Sequence, residues 1–352
     1  MAQNVASAPA PHMRHEPAPH GPPERRAAQP HKQRHTYGAL DLGTNNCRLL
    51  IARPTDGAFT VIDAFSRIVR LGDGLSASGK LSDDAMDRAV GALSVCADKL
   101  RRRNVSLARS VATEACRRAA NGRKFLERVR DETGIALEII EPAEEARLAM
   151  LGCHKLLEPG DGPALIFDIG GGSTKLVLID QVSGVPKIRS WWSAPWGVVS
   201  LTESEGREAL EGEDRVKAYK RMRERVRRSF DQFQAMLPKD RKGIRLLGTS
   251  GTVTTLASVH LALPSYDRRA VDGLHVPIDA MRAISTMIAE MDHEERSALP
   301  CIGPDRADLV VAGCAILEAI LEIWPAEKLG VADRGIREGI LRSLMARDGY
   351  LL

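Results

Sequence analysis

Two short stretches of this sequence carry residue types suited to gripping phosphate. They are Asp41-Leu42-Gly43-Thr44-Asn45-Asn46 and Asp168-Ile169-Gly170-Gly171-Gly172-Ser173-Thr174-Lys175. Glycines let a backbone come close to an anion, and successive N–H groups form a nest for it. An aspartate beside such a turn can hold magnesium directly or through water. The second stretch is not a Walker A loop, in which lysine precedes the hydroxyl residue and a helix follows. Here the hydroxyls come before Lys175, and the apolar run Leu176 to Ile179 continues the chain. The stretch is therefore expected to be a hairpin turn between two strands. A single turn of this kind would be read as an aspartate bonded to its own backbone. Two of them in matching surroundings point instead to a clamp for a polyanion.

The surroundings do match. YGALDLGTNNCRLLIARP reads as a strand, a turn near Asp41 and a return strand over Cys47 to Ala52, and AFTVIDAFSRIVRL supplies a third strand. A helix is expected from Ser82 to Arg102, a strand over Leu107 to Ala112, a helix from about Glu114 to Thr133, a strand in IALEII and a helix from Pro142. The order restarts at Pro163 with PALIFDIGGGSTKLVLID, then VPKIRSWWSAP, then helices alternating with the strands in IRLLGTSG and LGVAD. These repeats predict an α/β protein with a first domain over 37–160 and a second over 161–352. Both hairpin turns would point into the cleft between the domains, where ligands of such folds sit.

Further segments narrow the reading: ATEACRRAANG (Ala112 to Gly122), EPAEEARLAMLG (Glu141 to Gly152), LLGTSGTVTTLA (Leu246 to Ala257), GPDRADLVVAGCAIL (Gly303 to Leu317) and GIREGIL (Gly335 to Leu341). With the two turns they resemble, from Tyr37 to the end, the exopolyphosphatase and guanosine pentaphosphate phosphohydrolase family. That family lies within the superfamily of sugar kinases, heat-shock ATPases and actin. The resemblance implies two ribonuclease H-like domains facing across a cleft. It also implies hydrolysis of terminal phosphoanhydride bonds in inorganic polyphosphate or guanosine pentaphosphate with Mg2+, and a homodimer as in relatives. Longer relatives carry extra carboxy-terminal helical domains, so long-chain processivity is in question here. A non-catalytic sensor of polyphosphate or a guanosine alarmone is the alternative. An ATP-dependent kinase is disfavoured by the Glu144-Glu145-Ala146-Arg147 context, which is similar to the hydrolase branch.

The reaction needs an in-line water, a carboxylate to orient or deprotonate it, and positive charge on the phosphoryl oxygens. On the resemblance Glu145 is the catalytic base; by position alone it would only complement a helix N-terminus after Pro142. Arg117 matches an arginine that contacts substrate phosphate, as a planar guanidinium can. Asp41 and Asp168 are the expected metal ligands. The expected phosphate contacts are Gly43, Thr44, Asn45, Gly170, Gly171, Gly172, Ser173, Thr174, Lys175, Gly248, Ser250 and Gly251. The Gly248-to-Thr252 loop would offer N–H groups at a helix start, although Ser250 or Thr252 could serve simply as the cap. Lys175 departs from the family, where this position is usually glutamate. It could weaken the metal site, touch a phosphate oxygen, or sit on the sheet's other face as a solvated residue.

The first 36 residues, rich in Pro, Ala, His and Arg, are expected to be a disordered leader and hold five of the nine histidines. The six cysteines show no metal spacing and are expected to be reduced, buried thiols. A formal charge of +4 is too small for this size to argue nucleic-acid binding by itself, and no nucleic-acid partner is expected. The chain contains no apolar run of the roughly 18 residues that a membrane span needs, and a cytoplasmic location is expected. The segment Asp214 to Phe233 has eight basic residues between Arg215 and Arg228, against the single acid Glu224. It reads as a solvated helix face or as a track for a phosphate chain. Trp191, Trp192 and Trp196 are expected to pack in the core or hinge.

Overall fold

The computed structural model describes residues 35–351 apart from 161, 183–184, 213 and 238–242. The leader expected over 1–36 thus lies, except for its last two residues, outside the described residues. Apolar runs become central strands: β1 (Tyr37–Leu42), whose residues are nearly all buried, is followed by β2 (Asn46–Thr55) and β3 (Ala58–Ile68). With β4 (Leu107–Ala112) and β5 (Glu138–Ile139) they form a sheet ordered β3-β2-β1-β4-β5. The hairpin pairs are antiparallel, and β4 runs parallel to both β1 and β5. The second sheet repeats the plan with β6 (Ala164–Ile169), β7 (Thr174–Val182), β8 (Val185–Ala194) and β9 (Arg245–Thr249). It adds β10 (His275–Pro277) and β11 (Lys328–Ala332), giving the order β10-β11-β9-β6-β7-β8. The chain is thus two mixed-sheet α/β units, as the repeated pattern predicts. Strand β10 was not foreseen, since three residues carry no usable periodicity.

Local chemistry explains where helices start and stop. The Asp83–Arg102 helix opens at Ser82, whose hydroxyl accepts from the Ala85 N–H. The single helix expected over Glu114 to Thr133 is two, Glu114–Arg118 and Gly122–Thr133. Asn121 interrupts it because its side-chain amide bonds both the N–H and the carbonyl of Leu81, at 2.9 Å each. Of the IALEII strand only Glu138–Ile139 joins the ladder.

Two helices lie between the sheets. Pro142–Cys153 turns Leu148 and Ala149 toward Tyr37, Ala39 and Leu50 of the first sheet, and Ala146, Met150 and Cys153 toward Ile166, Val177 and Leu247 of the second. The final helix, Ile336–Arg347, follows β11 in the chain yet packs Ile340, Leu341 and Met345 on the first sheet's β1 and β2 residues. The helices cross where side chains vanish: a methyl on Gly152 would stand 2.0 Å from the Gly335 carbonyl oxygen, and one on Gly339 would stand 2.0 Å from that of Leu148. All six cysteines are free and buried. No helix among the described residues is long and apolar enough to cross a membrane.

Candidate active site

Each glycine turn closes a hairpin whose register fixes which side chains share a face. In the first, Asp41 stands opposite Arg48; in the second, Asp168 stands opposite Lys175. Directly paired residues point to the same side of a sheet, so each hairpin sets a cation beside its aspartate. The two turns meet across the cleft. A methyl on Gly171 would lie 2.9 Å from Thr44 Cβ, and one on Gly172 would lie 2.8 Å from Thr44 Oγ1 and 2.9 Å from Glu114 Cγ. Only glycine permits the lobes to approach this closely.

The cleft, its open mouth included, encloses about 1000 Å³. Its wall includes Asp41, Gly43, Thr44 and Asn45 from one lobe and Asp168, Gly170, Gly171, Gly172 and Ser173 from the other. Glu145 lines it from the sandwiched helix, and Ser250 and Gly251 from the start of the Gly251–His260 helix. Ser250 has φ 143° and ψ 170°, a region that only glycine visits readily, which costs of order 1–3 kcal/mol. Its hydroxyl accepts from the Val253 N–H, so it caps the helix while the helix start faces the cleft.

Four expected site residues do not line the cleft. Thr174 is fully buried and its hydroxyl donates to the Trp196 carbonyl at 2.7 Å. Gly248 lies within β9, where a methyl would meet the Phe167 ring at 2.5 Å, so its smallness serves packing. Lys175 is 2% exposed, which excludes the solvated reading; its ammonium contacts Glu145 Oε1 at 2.6 Å and donates to the Ser173 hydroxyl. Arg117 donates to the Ile140 carbonyl at 2.5 Å, to Glu114 Oε2, and to Glu145 Oε2 at 3.4 Å. The Glu145 carboxylate is therefore buried between an ammonium on one oxygen and a guanidinium on the other. Glu144, its neighbour, turns the other way and pairs with Arg109 and Arg147, which hold its carboxyl below the usual range, Arg147 contributing most. That is the helix-start role the position alone suggested, taken by the adjacent residue.

Burial pushes the Asp41 carboxyl up to about 6 and that of Asp168 up to about 7, against the lowering fields of Arg48 and Lys175 respectively. Oδ1 of Asp41 is buried without a hydrogen-bond partner among the described residues. Such an orphaned hard oxygen fits a shared Mg2+, which commonly rests on one or two carboxylates plus substrate phosphates. No cluster of three or more metal-ligating side chains occurs among the described residues.

Sequence reasoning missed Arg48, Glu114 and Arg306, all of which line the cleft. Pairing across the first hairpin would have found Arg48 once the turn's end was known. Arg306, which donates to Thr255 Oγ1 at 2.9 Å, sits in a loop whose aim no periodicity reveals. The basic helix, Arg215–Ser229, has most of its arginines paired with acids. Arg221 and Arg225 pair with Glu205, Arg223 with Glu318 and Glu322, and Arg227 and Arg228 with Glu224. Trp192 and Trp196 pack against the second core, but Trp191 is 39% exposed because adjacent residues on edge strand β8 face opposite sides.

Known proteins resemble this chain in sequence and in fold. The profile of the Ppx/GppA phosphatase family matches residues 50–348. A Mycobacterium tuberculosis protein named exopolyphosphatase 2 is 31% identical over 320 residues, covering 87% of this chain and 97% of its own. A guanosine-5'-triphosphate,3'-diphosphate pyrophosphatase of Aliivibrio fischeri is 28% identical over 86% of this chain but 58% of its own length. The crystal structure of an Aquifex aeolicus member of the Ppx/GppA family superposes with a TM-score of 0.73 at 32% identity, over 89% of this chain and 98% of that one. The chain belongs to the Ppx/GppA phosphatase family.

Proposed function

We propose that the protein hydrolyses the terminal phosphoanhydride bond of inorganic polyphosphate or guanosine pentaphosphate. The observation that carries this reading is the buried Glu145 carboxylate, which lines the cleft against both glycine turns. Backbone N–H groups of the two turns and of the Gly251–His260 helix start hold the phosphates, and Arg48 and Arg306 face the same space. Glu145 orients a water in line with the terminal phosphorus and accepts its proton on the oxygen that Lys175 does not engage. Arg117 positions that carboxylate through its contact with Oε2. Asp41 and Asp168 would hold a shared Mg2+, whose charge would offset that of the phosphoryl oxygens.

The test is phosphate release from short polyphosphate, long polyphosphate and guanosine pentaphosphate, each with and without magnesium. Glu145→Gln should cut release by about 10²–10⁴-fold. A second reading has one observation in its favour, the ammonium resting on the intended base: the protein would bind such chains as a sensor. Tight binding with no release, indifferent to Glu145→Gln, would establish the sensor and dismiss the hydrolase.

A further inference from the structure

An ammonium buried behind the wall of an acidic cleft is costly unless it is paired. Lys175 is 2% exposed and Glu145 is 6% exposed, and their charged atoms stand 2.6 Å apart. The pairing register sets the same lysine opposite Asp168. Arg48 stands in the corresponding place opposite Asp41 in the other hairpin. Every acidic group in this part of the cleft thus has a protein cation assigned to it, with Arg117 serving Glu114 and Glu145.

We propose that the Lys175 ammonium, held behind the cleft wall against Glu145, is the site's resident cation, occupying the place beside Glu145 that a protein-held divalent ion would need, so that a divalent ion is taken up only together with a phosphate chain. Two physical reasons support this. One carboxylate oxygen of Glu145 is already engaged at hydrogen-bonding distance, which removes it from the donor set. A fixed positive charge within a few ångströms also opposes a second cation until phosphate brings compensating negative charge. With phosphate present, the orphaned Asp41 oxygen and the phosphoryl oxygens together make the oxygen-rich shell that magnesium prefers. The inference rests on the reading of the cleft as a phosphoanhydride site.

Equilibrium dialysis of the full chain against Mn2+, with and without imidodiphosphate as an uncleaved phosphate probe, tests this without measuring turnover. The wild-type protein should retain manganese only when imidodiphosphate is present. Saturable, tight retention of manganese by wild type alone would overturn the proposal. Without the probe, Lys175→Met should gain manganese affinity and Lys175→Glu should gain more, about tenfold or above, while Lys175→Arg should gain none. Circular dichroism checks that each variant is folded. Equal gains in all three variants would show that disturbed packing, not charge, is responsible, and would also overturn it. The wild-type arm decides the matter even if a variant does not fold. A protein that behaves as expected here but releases no phosphate would sink the hydrolase reading and leave the resident cation standing.

Discussion

Removing the Lys175 ammonium leaves the Glu145 carboxylate buried with only the 3.4 Å contact from Arg117. Breaking one side of a buried ion pair commonly costs about 3–5 kcal/mol, whereas replacing both partners with neutral groups is far milder. Lys175→Met should therefore lower the melting temperature strongly, and Glu145→Gln combined with Lys175→Met should recover much of that loss. Additive losses in this double-mutant cycle would show that the two side chains do not depend on each other. The sequence displayed the lysine beside the glycine turn but not its aim, because the face of a strand residue depends on where the turn ends. The register Asp168 opposite Lys175 supplies that missing fact. Arg117 was expected, by resemblance, to contact substrate phosphate; that its guanidinium turns instead to Glu114, Glu145 and the Ile140 carbonyl was not legible, since three partners from separate segments fix it.

Hairpins and helix crossings set how accurately these side chains are held. The Glu145 helix crosses the final helix at Gly152 and Gly339, where backbones touch. Gly152→Ala forces its methyl toward the Gly335 carbonyl, and overpacking of this kind costs about 1–3 kcal/mol. Because the shift displaces the helix that carries Glu145, kcat should fall more than phosphate affinity does; unchanged kcat in a destabilised variant would contradict this. At the far edge of the first sheet, Asp63 of β3 receives Lys99 at 2.7 Å and Arg103 at 2.8 Å from the end of the Asp83–Arg102 helix. These partners, Lys99 first, hold its carboxyl down to about 2. Its folded value lies below the unfolded one of about 4, so its contribution is complete at neutral pH and disappears as pH falls through about 2. The melting-temperature gap between wild type and Asp63→Asn should accordingly close over that acid range. Most strands, in their succession along the chain, were legible because β1 and β6 are apolar runs that end in glycine turns just after an aspartate. The break at Asn121 was not, since it depends on Leu81, forty residues away.

Across the whole molecule, the lobes are joined at the cleft's rim as well as through its helices: the Gly74 N–H meets Glu203 Oε1 at 2.8 Å, and Arg70 meets Asp308 at 3.4 Å. Most cations of the Arg215–Ser229 helix are already paired with neighbouring carboxylates, which weakens the case for a phosphate track there. Arg228→Gln should leave polyphosphate affinity and its salt dependence unchanged. Arg306→Gln should weaken binding and flatten the salt slope by about one phosphate contact, by analogy with counterion release from nucleic acid. A loss in the first variant equal to that in the second would restore the helix as a binding track. The final helix crosses back from the second sheet to cover β1 and β2. The first lobe therefore borrows part of its apolar cover from a segment that follows the second lobe's strands, which ties the folding of one lobe to that of the other. Glu145, carried on the helix sandwiched between the sheets, is held in place only where both lobes have come together.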